Sequence, residues 1–139
     1  MKILISFLCA MLLTCGIMPA EAATVTRMTW ADRHEVTPPF VRIVLDLDVP
    51  VTGECYLLND GLTVNVVLLD SVVGAGVPTT LSVPSKTINT LSFSRSGQDL
   101  ILAAKLNHTI DASRVKIFAL EPDTKTGRPQ RLVLDIPAK

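Results

Sequence analysis

From Val41 to Asp48 the chain reads VRIVLDLD, with aliphatic side chains at Val41, Ile43, Leu45 and Leu47, on every second residue. A period of two places alternate residues on opposite faces of an extended strand. This run therefore buries its aliphatics behind a sheet and turns Arg42, Val44 and Asp46 outward. The same alternation marks 25–30, 54–58, 62–69, 88–93, 100–106, 115–120 and 131–136, so eight short strands are expected. Turn formers separate them: Pro38-Pro39, Asn59-Asp60-Gly61, Ser96-Gly97 and the polar loop 122–130. No window of eleven or more residues carries a helical stripe, and the chain reads as all-β.

In order, the eight strands form two sets of four. VTRMTW at 25–30 parallels INTLSF at 88–93, and VRIVLDL at 41–47 parallels LILAAKL at 100–106. CYLL then parallels KIFAL, and LTVNV parallels LVLDI, which aligns Gly61 with Arg131. The halves run over about 25–69 and 88–137, joined by a Gly, Pro and Thr-rich connection at 70–87. Gly74-Ala75-Gly76 in that connection precedes no helix, so it cannot cradle a phosphate.

One Lys, an uncharged apolar run and the small residues around Ala20-Glu21-Ala22 have the form of a secretory signal peptide. Its apolar run is too short to span a bilayer. Cleavage is expected after Ala22, leaving a domain over 23–139, exported to the periplasm or cell envelope and not inserted in the membrane. The competing lipoprotein site at Cys15 is preceded by Thr, where a small residue is usual. Removing 1–22 takes Lys2 and Glu21 from thirteen bases and thirteen acids, so the remainder is neutral. It exerts no bulk attraction on nucleic acid. Cys9 and Cys15 leave with the signal, and Cys55 is left without a disulfide partner.

His34, His108 and Cys55 stand at no metal-ligand spacing, and no nucleophile elbow is present. No metal, cofactor or catalytic group is expected, and the chain reads as a non-enzyme. Aromatics make up 4% of the sequence, too few for a base- or sugar-stacking platform. What remains is a doubled stripe: Arg42, Val44 and Asp46 on one strand, and Arg131, Val133 and Asp135 on another. Four residues of strand separate Arg from Asp by roughly 13 Å, too far for pairing along one strand. Arg42, Asp46, Arg131 and Asp135 must pair across strands or receive a ligand.

KIFALEPDTKTGRPQRLVLDIP resembles the closing segment of the amidase N-terminal (AMIN) domain, and VRIVLDLDVPV resembles that domain's second strand. The resemblance extends over about Val25 to Pro137. It implies a β-sandwich of two four-stranded sheets related by a pseudo-two-fold. It also implies a periplasmic role, binding peptidoglycan and positioning a partner domain at the wall. Thr29, Ser92, Ile101 and Gly61 depart from the arginines usual in that family, which implies either a one-sided binding surface or weak or lost wall binding. If Arg42 and Arg131 receive wall carboxylates, replacing both is expected to leave stability nearly untouched; otherwise they make surface pairs with Asp on neighbouring strands. The alternative is an adaptor that docks on an envelope protein complex through a sheet edge or the 70–87 connection.

Overall fold

The computed structural model describes residues 22–138; the signal-peptide expectation lies almost wholly outside them. Ten strands form: β1 (Ala23–Arg33), β2 (Phe40–Leu47), β3 (Gly53–Leu58), β4 (Thr63–Leu68), β5 (Ser71–Val73), β6 (Thr80–Ser82), β7 (Ile88–Ser96), β8 (Asp99–Leu106), β9 (Lys116–Leu120) and β10 (Gln130–Pro137). Asn59, Asp60 and Gly61 take φ of 55°, 54° and 90°, reversing the chain between β3 and β4 as their turn chemistry requires. At Gly61 a Cβ would come within 2.7 Å of the Ile110 carbonyl oxygen, so only glycine fits.

The strands make two five-stranded sheets, β5-β1-β2-β10-β9 and β3-β4-β8-β7-β6. Sheets of four were expected. The difference lies in the connection, whose two ends each add a short strand to an open edge. Gly74 donates its N–H to Val25 O at 2.8 Å and holds β5 parallel to β1, while β6 runs antiparallel to β7. Without those additions the sheets read β1-β2-β10-β9 and β7-β8-β4-β3, one order with the two halves of the chain exchanged. Register repeats as well. A bulge between Val25 and Arg27 on β1 recurs between Ile88 and Thr90 on β7, the positions aligned in sequence.

The alternating aliphatics meet in one core. Val41, Ile43, Leu45 and Leu47 from the first sheet pack in one cluster with Val64, Val66, Leu68, Leu100 and Leu102 from the second. Each fully buried Leu or Ile contributes roughly 1.5–3 kcal/mol relative to exposure. The core therefore holds the two sheets together and leaves each with one outer face. Those outer faces differ completely, and the difference locates the candidate site.

Candidate functional site

On the outer face of the first sheet, strand register sets side chains in rows. Ala31, Arg42, Asp135 and Lys116 form one row; Thr29, Val44, Val133 and Phe118 the next; Arg27, Asp46, Arg131 and Leu120 the third. Because β2 and β10 are antiparallel, their identical stripes run in opposite senses and bring Arg opposite Asp at both ends. The sequence demanded pairing across strands or a ligand. Only one end pairs.

At one end Arg42 closes on Asp135. Its Nε and Nη2 donate to the two carboxylate oxygens, both at 2.9 Å, in the planar fork that suits guanidinium to carboxylate. The Arg42 guanidinium also lies over two rings, Phe40 at 5.3 Å and Phe118 at 5.6 Å from their centroids. The hydrogen bonds that Arg42 donates to Asp135 push the Arg42 pKa up, against an opposing effect of burial. Asp135 is only 7% exposed, and Val133 on the same face 1%, so of the β10 stripe only Arg131 faces water as expected. Neighbours on β2 and β9 flank Val133 on both sides.

At the other end Arg131 and Asp46 face each other in register, yet no ion pair within 4.0 Å joins them among the described residues. Arg131 instead donates Nε to the Pro129 carbonyl at 3.3 Å, leaving its Nη groups for other partners. Asp46 is flanked on its other side by Arg27. Around this row lies a groove of about 540 Å³ whose lining includes Arg27, Arg33, Arg42, Arg128 and Arg131, with Asp46 as its one carboxylate. Arg42 is satisfied by Asp135 and Arg33 by Glu35. Arg27, Arg128 and Arg131 thus stand against Asp46 alone, an excess of two positive charges in the lining. Asp123 stands nearby, its carboxyl held below the usual range first by the Lys125 N–H and last by Arg131.

Of the four residues singled out in the sequence, Arg42, Asp46 and Arg131 line the groove, while Asp135 anchors Arg42 from the buried side. Arg27, Arg33 and Arg128 were missed. Strict alternation from Val25 would turn Arg27 inward; the bulge reverses its side and places it opposite Asp46. Arg128 sits on the loop before β10, where no periodicity operates.

The second sheet provides an internal comparison. Thr90, Lys105 and Thr63 occupy the row equivalent to Arg27, Asp46 and Arg131, and Ile101 stands where Arg42 does. The partner of Arg131 across the duplication is thus Thr63, two residues from the Gly61 that sequence alignment gave. Among the described residues no three His, Cys, Asp or Glu side chains gather as a metal-holding group, and no helix is long and apolar enough to cross a membrane. No family model matches this chain, and neither does any curated protein sequence.

Proposed function

We propose that this chain is a non-catalytic, exported module that binds peptidoglycan through the arginine groove of its first sheet. In this reading the two sheets are a β-sandwich with internal duplication, of the AMIN type, and residues 1–22 direct export. One observation carries the reading: the same strand arrangement exists twice, and only one copy bears the arginines. The strand arrangement does not require Arg27 or Arg131, since Thr90 and Thr63 serve at the equivalent places. Charges concentrated where the architecture is indifferent to them are there for a ligand. Wall stem peptides are rich in carboxylates, and guanidinium donors with free Nη groups hold a carboxylate bidentately.

Groove geometry fits an extended, shallowly bound ligand. Val44, Val133 and loop residues 127–129 complete the lining beside the charged row. The test is sedimentation of the purified 23–139 domain with isolated sacculi. It pellets with the wall at low salt and is released as salt rises, because exposed charges are screened over about 8 Å at physiological ionic strength. A domain that stays in the supernatant at every salt concentration removes the reading.

The adaptor reading draws on the opposite edges. β9 and β3 end their sheets, and Phe118 on β9 and Tyr56 on β3 are exposed. Such edges accept an added strand. The 70–87 connection supplies the other two sheet edges as β5 and β6, each three residues long, so β3 and β9 are the longer edges for that mode.

A further inference from the structure

The middle of the arginine row is occupied by a carboxylate, and this is costly for a simple anion site. Arg27, Asp46 and Arg131 lie on three adjacent strands, so neighbouring side chains spring from backbones about 5 Å apart. Asp46 repels any plain dicarboxylate or phosphate that its neighbours attract. It is also not consumed by them, since no ion pair within 4.0 Å involves it among the described residues. A carboxylate in that position rewards only a ligand that brings a cation beside its anion, and penalises one that does not.

We infer that the Arg27-Asp46-Arg131 row binds a zwitterionic α-amino acid centre, its ammonium on Asp46 and its carboxylate on Arg131 or Arg27. An α-amino acid holds its ammonium and carboxylate on one carbon, which suits adjacent strands of alternating charge. The two-charge excess in the lining leaves room for a further ligand carboxylate at Arg128 or the second flanking arginine. This rests on the reading of the groove as a wall-ligand site and narrows it. The recognised part of the stem peptide is a residue whose side-chain end keeps both ammonium and carboxylate free, and the neutral glycan is not what the row reads.

The probe is meso-diaminopimelic acid, both of whose ends are such centres, titrated into the 23–139 domain and followed by backbone amide shifts. Its N,N′-diacetyl derivative and inorganic phosphate are the comparisons. Wild type binds the free amino acid at least tenfold more tightly than either, with shifts on β1, β2 and β10. Asp46→Asn loses that preference, weakening the zwitterion tenfold or more while binding the diacetyl compound and phosphate as well as or better than wild type. Equal or tighter wild-type binding of the diacetyl compound overturns the inference without any mutant, so a variant that fails to fold does not shield it. Sacculus sedimentation keeps the two claims separable. Wall binding without ammonium preference sinks this inference alone, and zwitterion binding without wall binding sinks the wall reading alone. A domain that binds none of these probes sinks both.

Discussion

Asp135→Asn isolates the one interaction that converts the Arg-Val-Asp stripes into structure. The wild-type carboxylate accepts two hydrogen bonds at 2.9 Å from a single guanidinium, with its side chain 10% exposed and that of Arg42 33% exposed. Asparagine keeps the shape, removes the charge and turns an N–H₂ toward one of the Arg42 donors. Hydrogen bonds to charged groups contribute roughly 1.5–3 kcal/mol each, and breaking a fully buried pair costs about 3–5 kcal/mol. Arg42 is a third exposed and regains some hydration, so the expected loss is near the low end, about 2 kcal/mol. At roughly 4 °C per kcal/mol for a domain of this size, Tm falls by about 8 °C. Urea denaturation should show the same loss with an unchanged slope. Replacing both partners, as Arg42→Met with Asp135→Leu, should recover at least about 1 kcal/mol relative to the sum of the single changes, because no unpaired charge is left behind. If Asp135→Asn is within about 0.5 kcal/mol of wild type and the double change is additive, the pair contributes nothing and Arg42 belongs with the ligand-facing arginines. The same reasoning restricts to Arg131 the expectation that a ligand-facing stripe arginine can be replaced with stability nearly untouched. Arg42→Glu would set a second carboxylate against Asp135.

Burial pushes the Cys55 thiol up to about 11, so at pH 8 the native protein should not react with a thiol reagent, while the urea-unfolded chain reacts fully. The Asp111 carboxyl is held below its ordinary value of 3.8 by the Ser113 N–H first and the Ser113 hydroxyl second. A lowered folded-state pKa stabilises the fold above the unfolded value and is lost as pH falls through the folded one. Carboxyl NMR should therefore find Asp111 titrating below 3.8, with Ser113→Ala moving it only part of the way back, because the backbone donor remains. Gly61→Ala should destabilise by at least about 1 kcal/mol in thermal unfolding, since it meets both a left-handed φ and the Ile110 carbonyl.

The eight longer strands were legible because each buries one face, and burial writes a period of two into Val41, Ile43, Leu45 and Leu47 and their counterparts. β5 and β6 were not. Three residues cannot display a period, and SVV and TLS are strands because a neighbour supplies the ladder. Half of the groove was legible for the same reason. Arg42, Asp46 and Arg131 lie on regularly alternating strands, whereas Arg27 reaches the face through a bulge that alternation cannot register. The pairing of Arg42 with Asp135 follows from the antiparallel meeting of two identical stripes. That one end closes while the other stays open depends on Arg131 turning to the Pro129 carbonyl, a loop contact with no sequence pattern behind it.

Wall binding by the open arginines is most directly measured with Arg27→Gln, Arg131→Gln in the sacculus sedimentation assay, alongside a charge-matched Lys86→Gln, Lys105→Gln control outside the groove. Glutamine sets no new charge against Asp46, neither arginine belongs to an ion pair among the described residues, and both control lysines are exposed, so both variants should melt within a few degrees of wild type. Loss of even one charge-assisted hydrogen bond removes roughly 1.5–3 kcal/mol, and about 1.4 kcal/mol is tenfold in affinity. Retention by sacculi should therefore fall at least tenfold for the first-sheet variant and stay at the wild-type level for the control. A folded first-sheet variant that pellets as fully as wild type would contradict wall binding through this groove.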